Sequence, residues 1–114
     1  MILLNEDLEI ELVNKLAQIP TVQKVILYGS RSRGDAGDRS DIDLAVETEA
    51  VDPRAWYDIT STLEDLPTLL LVDLVLLNEV TGDFRAKIYA EGTILFDRSV
   101  RRSSLRSGGR DPDL

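Results

Sequence analysis

Neither cysteine nor histidine occurs among these 114 residues, and the two absences remove a good deal of chemistry. Without cysteine there is no disulfide framework and no thiolate metal site. Without histidine, the Ser-His-Asp and Cys-His nucleophilic schemes fall away together with the usual zinc sites. Carboxylates are left as the natural ligands and bases. Long apolar runs are missing too, since no stretch reaches the ~20 residues that a membrane helix needs. Met1-Ile2-Leu3-Leu4 is too short for a signal sequence, has no positive leading region and runs straight into Glu6 and Asp7. A cytoplasmic protein is expected. Basic charge is scarce: 13 Lys and Arg stand against 21 Asp and Glu, for a net charge of −8. Residues 1–97 hold 8 of the basic and 19 of the acidic residues. Such an acidic body argues against a polynucleotide as direct substrate, because counterion release needs many lysines and arginines on one surface. A protein or small-molecule acceptor fits better, and so does a basic partner.

What remains is the composition of an ordinary soluble domain, 43% hydrophobic and 30% charged, long enough for one modest core. Asn5 is placed to cap a helix that opens on Glu6 and Asp7 and carries Leu8, Leu12, Val13, Leu16 and Ala17 at helical spacing until Pro20. Val22 to Tyr28 reads as a strand, as do Asp41 to Glu47, Leu69 to Leu77 and Thr93 to Phe96. Asp52-Pro53 marks a helix start, with Trp56, Ile59, Leu63 and Leu66 as its core face and Pro67 as its end. Thr81 or Asn78 caps a last helix in which Phe84, Ile88 and Tyr89 turn inward, and Gly92 closes it. Helix, strand, short turn-helix, strand, helix, strand, helix, strand makes an α/β (α+β) domain over residues 1–97, a single mixed sheet flanked by helices. Residues 98–114, rich in Arg, Ser and Gly, form a basic tail with too little apolar surface to order itself.

Tyr28-Gly29-Ser30-Arg31-Ser32-Arg33-Gly34 and Ser40-Asp41-Ile42-Asp43-Leu44 are the stretches that carry chemistry. Gly29-Ser30 is where the first strand must break. Glycine allows a tight turn and close approach of a ligand, and a helix starting there would offer unpaired N–H groups to an anion such as a triphosphate. An ordinary strand-to-helix turn would look the same. Gly29 and Gly34 have the spacing of a P-loop, but Asp35 and Ala36 follow where Lys and Ser/Thr are required. Residues two apart on a strand share a face, so Asp41 and Asp43 present paired carboxylates while Ile42, Leu44 and Val46 face a core. Mg²⁺, which prefers one or two carboxylates plus substrate phosphates, suits such a pair; a solvated strand edge is the bland alternative. Asp73 is the only polar residue in Leu69 to Leu77, a run that reads as a strand buried on both faces. Its carboxylate would then need metal, a proton or a salt bridge to an arginine such as Arg33 or Arg39.

These residues resemble the nucleotidyltransferase superfamily to which DNA polymerase β belongs, and more narrowly its minimal nucleotidyltransferases (MNT, MntA-type antitoxins), whose signature is Gly-Ser-x-Ala-Arg-Gly followed by Ser-Asp-Ile-Asp. The resemblance runs from about Val22 to Asp97 and includes Lys87-Ile88-Tyr89-Ala90-Glu91-Gly92; Ser32 stands where alanine is usual. It implies a polymerase β-like fold and a transferase moving AMP from ATP to a hydroxyl. Asp41, Asp43 and Asp73 would be catalytic and would hold two Mg²⁺ ions about 3.5–4 Å apart. Gly29, Ser30, Arg33 and Ser40 would hold the nucleotide, with Arg39 a further phosphate contact and packing an equal role for Arg33. It also implies a HEPN-type ribonuclease toxin as partner, in a hetero-oligomer, with a toxin tyrosine as acceptor. Neutralisation by binding alone and transfer to an aminoglycoside-like small molecule are the alternatives.

Overall fold

The computed structural model describes residues 6–33 and 41–99. The Asn5 cap, Gly34, the 35–39 loop with Arg39, Ser40 and residues 100–114 of the tail lie outside the described residues, as do the side chains of Ser30 and Arg33. The elements run α1 (Glu6–Ala17), β1 (Val22–Tyr28), α2 (Ser30–Arg33), β2 (Ile42–Thr48), α3 (Pro53–Glu64), β3 (Val72–Leu76), a 3₁₀ turn (Leu77–Glu79), α4 (Gly82–Glu91) and β4 (Thr93–Asp97). The strands form one sheet in the order β3-β2-β1-β4. β1 is antiparallel to both β2 and β4, and β2 is parallel to β3. The sheet is mixed, as the sequence predicts.

Alternation along the strands divides the core in two. Val25 and Leu27 on β1 and Ile42, Leu44 and Val46 on β2 face a cluster completed by Leu12 and Leu16 of α1 and Ile59 and Leu63 of α3. Each such leucine, fully withdrawn from water, contributes roughly 1.5–3 kcal/mol of burial. The intervening residues Ile26 and Ala45 face the other way, toward Leu77 and Ile88. α3 begins as its sequence dictates: Asp52 accepts a hydrogen bond from Ala55 N at 2.8 Å with Pro53 in the first turn. It ends at Glu64, short of Pro67, with Asp65 as its C-cap.

α4 is held largely by polar contacts. Of its residues only Ile88 is buried, whereas Phe84 and Tyr89, expected inside, are 45% and 41% exposed. Tyr89 instead lies under two cations, Lys24 and Arg85, and Arg85 Nη1 donates to Leu77 O at 2.6 Å. Thr81 occupies the N-cap position without a side-chain capping bond. Gly92 sits at the C-cap as predicted but with φ −80°, so space rather than handedness demands glycine. A Cβ there would strike Ile88 O and lie 2.6 Å from Ile26 Cγ2.

Two further expectations are corrected. Trp56 is 44% exposed rather than core; Ala55, Ile59 and Leu63 form the buried stripe of α3, and Trp56 falls beside it. The run Leu69 to Leu77 is not a strand buried on both faces. Only Val72–Leu76 forms β3, at the edge of the sheet; Asp73 is exposed, and Leu69 and Leu71 are 103% and 69% exposed. An apolar run has no period to separate a central strand from an edge strand with an exposed approach.

Past β4, Arg98 turns back onto the domain. Its guanidinium donates to Val22 O at 2.9 Å, Ala17 O at 3.0 Å and Ile19 O at 3.2 Å and lies over the Phe96 ring. It thereby satisfies carbonyls at the end of α1 and the start of β1. Hydrogen bonds from charged donors are worth about 1.5–3 kcal/mol, so Arg98→Ala should lower unfolding free energy in urea by about 2 kcal/mol, with Arg98→Lys recovering less than half.

Candidate active site

At the end of β1, three partners stand in one row across the sheet: Tyr28 opposite Asp43, and Asp43 opposite Asp73 on the parallel strand β3. Register partners point to the same side, here the side covered by α4. The two carboxylates share this face with the Tyr28 hydroxyl. Burial pushes the Tyr28 phenol above its usual range, and the negative charges of Asp43 and then Asp73 push it further. Two like charges about 5 Å apart repel by roughly 3 kcal/mol at an effective dielectric of 20 and by less than 1 kcal/mol in water. With Asp73 exposed, the pair lies toward the lower figure. The fold can therefore hold both acids together before any cation arrives.

Gly29 follows Tyr28 with φ +75°, a left-handed conformation that disfavours any side chain. A Cβ there would also collide with Asp43 Oδ2. Handedness and close approach thus both require glycine, and the strand breaks beside a carboxylate as the sequence predicts. α2 starts at once, at Ser30. Arg31 is only 8% exposed, so it belongs to the packing of α2. Ser32, the departure from the usual alanine, fastens α2 to the joint between α4 and β4: its Oγ donates to Glu91 O at 2.7 Å and lies 2.9 Å from Thr93 Oγ1.

Asp41 lies one residue ahead of β2, exposed, next to Leu69, Leu70 and Leu71. Among the described residues no three acidic side chains are grouped closely enough to form a ready cation cage. The donor set nonetheless suits Mg²⁺, which takes one or two protein carboxylates and completes its shell with water and phosphate; Asp43 and Asp73, in register on neighbouring strands, would supply such a pair.

Beside Gly29 opens a cavity of about 150 Å³ lined by Tyr28, Gly29, Phe84, Lys87 and Glu91. Tyr28 meets Phe84 edge to face, with ring centroids 5.8 Å apart. None of Tyr28, Phe84, Lys87 and Glu91 was among the candidate site residues. The signal available was the spacing of Phe84, Lys87 and Glu91, which places them on one face of α4, the face turned to the strand end.

The family model described as Polymerase beta, Nucleotidyltransferase matches residues 10–101. The chain belongs to this nucleotidyltransferase family. Among solved structures, the nucleotidyltransferase is similar to a chain in the crystal structure of a toxin-antitoxin with AMP-PNP, with 26% identity and a TM-score of 0.63, covering 90% of this chain and 89% of that one. A mutant of the toxin-antitoxin MntA-HpeT is 28% identical, with a TM-score of 0.59 and coverage of 94% and 89%. A rebuilt structure of tri-AMPylated Shewanella oneidensis HEPN toxin in complex with MNT antitoxin shares the fold at 23% identity, with a TM-score of 0.60 and coverage of 92% and 88%. No curated protein is significantly similar to the chain.

Two outcomes follow from this geometry. Gly29→Ala should cost about 1–3 kcal/mol from its backbone alone, and Gly29→Asn, which tolerates the left-handed region better, should still be destabilised by its Cβ against Asp43, both read by thermal unfolding. The raised Tyr28 pKa means that the folded chain holds this proton more tightly than the unfolded one. Its contribution to stability is complete below the ordinary tyrosine pKa of about 10 and is lost as pH rises through the raised value. Asp73→Asn should move the Tyr28 titration a small part of the way down, burial and Asp43 keeping the rest, in an alkaline tyrosinate absorbance titration referenced to Tyr28→Phe.

Proposed function

We propose that this chain is a Mg²⁺-dependent nucleotidyltransferase that moves AMP from ATP to a hydroxyl of a partner protein, a tyrosine of a HEPN-type toxin, and so acts as its cytoplasmic antitoxin. The observation that carries the proposal is the register of Asp43 against Asp73 beside the left-handed Gly29 turn. The AMP-PNP in the 26%-identical toxin-antitoxin structure and the AMPylated HEPN toxin bound to its MNT antitoxin support the choice of nucleotide and acceptor.

The chemistry is in-line displacement. The acceptor oxygen forms a bond to the α-phosphorus, the bond from that phosphorus to the bridging oxygen of the β-phosphate breaks, and pyrophosphate leaves. Asp41, Asp43 and Asp73 are the proposed catalytic and metal-holding set; bound there, Mg²⁺ would neutralise charge on the triphosphate and on the acceptor oxygen as its proton leaves. Exposed Asp73 takes the acceptor proton on a carboxylate oxygen. Gly29 lets the phosphates approach the backbone closely, and Ser30, Arg33 and Ser40 hold them. Ser32 keeps α2 seated while they bind. Positioning and charge neutralisation supply most of the rate, as is usual where the protein does little covalent chemistry.

Intact mass of a HEPN-type partner after incubation with this protein, ATP and Mg²⁺ should show the gain of one or more AMP groups. Asp43→Asn should abolish the gain and Asp73→Asn should reduce the rate at least 100-fold. A partner silenced without any gain in mass would replace transfer with neutralisation by binding.

A further inference from the structure

Two open depressions meet at Leu70. One, of about 450 Å³, is lined by Asp7, Leu8 and Glu11 of α1 together with Pro67, Thr68 and Leu70. The other, of about 510 Å³, is lined by Asp41, Leu69, Leu70 and Leu71. Together they make a trough along the connection between α3 and β3, with leucines along its length and carboxylates at both ends. No basic side chain lines it among the described residues. Lys15 does lie near one end, bridged to Glu11 at 3.4 Å; at the Asp41 end no basic side chain is in the lining among the described residues.

Exposure of this segment is hard to explain by folding. Leu69 is 103% and Leu71 69% exposed, and side chains of that size left in water forgo roughly 1.5–3 kcal/mol each of burial. The backbone that presents them is nonetheless fixed. Leu71 O accepts from Ile42 N at 2.8 Å, and Leu70 N donates to Thr68 Oγ1 at 3.1 Å. Clustered exposed leucines on a fixed backbone mark an interaction site, and an acidic rim selects a cationic partner. Asp41 belongs both to this trough and to the proposed catalytic set, so the trough reaches that set at one residue.

We infer that the trough seats the acceptor protein: a segment of apolar residues flanked by lysine or arginine, docked on Leu69, Leu70 and Leu71 so that its acceptor hydroxyl reaches Asp73. This rests on the transferase function proposed above and gives it a recognition surface.

The test uses the full chain with a HEPN-type protein as acceptor probe and AMP-PNP as nucleotide probe. The paired variants Leu69→Ala/Leu71→Ala, Leu69→Asp/Leu71→Asp and Leu69→Lys/Leu71→Lys change exposed side chains and should leave thermal unfolding and AMP-PNP affinity unchanged. KM for the acceptor should rise at least tenfold in each, with kcat within threefold of the parent. The lysine pair should be the worst of the three, because it repels a basic segment. Acceptor KM within twofold of the parent in all three would overturn the docking site, and a lysine pair better than the aspartate pair would overturn its charge. A benzophenone side chain at position 69 should cross-link to the acceptor; cross-linking only to residues 1–5 of the same chain or to a second copy would instead assign the trough to them. If the parent binds AMP-PNP but transfers nothing, the transferase proposal fails, and cross-linking at position 69 still decides whether the trough seats the partner.

Discussion

Two carboxylates held side by side on neighbouring parallel strands set the terms for the rest of this molecule. Asp43 and Asp73 share a row because β2 and β3 pair in register, and that pairing exists only because α3 carries the chain over the sheet between them. The crossover is anchored by Asp52 at its start and by Ile59 and Leu63 against the core. Once the two acids are fixed, their neighbours have little choice. Tyr28 must keep its proton, Gly29 must lack a side chain where Asp43 Oδ2 approaches, and the chain must turn away at once into α2. The repulsion is small enough, with Asp73 open to water, for the fold to carry it.

The strong signals in the sequence were local ones. β1 was legible because its apolar block ends on Gly-Ser, and α3 because Asp52-Pro53 announces its first turn. The paired roles of Asp41 and Asp43 were suggested by strand spacing alone. What the sequence could not show was how strands are ordered laterally. Leu69 to Leu77 looks like an interior strand, yet β3 ends the sheet and the leucines ahead of it face solvent. The same blindness affects α4, whose Phe84 and Tyr89 have the right spacing for a core face. The helix is instead tied down by Arg85 to the 3₁₀ turn just before it and by Lys24 of β1 over the Tyr89 ring, polar contacts that no apolar periodicity reports. Ser32 is a third case. It stands where alanine is usual in the motif, and the motif says nothing of the hydroxyl that joins α2 to β4.

The division of labour between the two sheet faces also has a physical logic. The face under α1 and α3 is almost wholly aliphatic and supplies the cohesion. The face under α4 carries fewer buried apolar residues and more charge, so polar groups there cost less to keep unpacked near the strand ends. Cohesion on one side lets the other remain chemically available.

The parallel pairing of β2 with β3 also has a kinetic side. Asp43 and Asp73 are thirty residues apart in the chain, and closing that separation requires β2, α3 and β3 to be in place together. The acidic row therefore cannot form before β3 is made, and a chain still leaving the ribosome, with β3 unmade, has no such row. On the function proposed here, a bound nucleotide would draw on β1, β2 and β3 at once and so hold three of the four strands together rather than one loop.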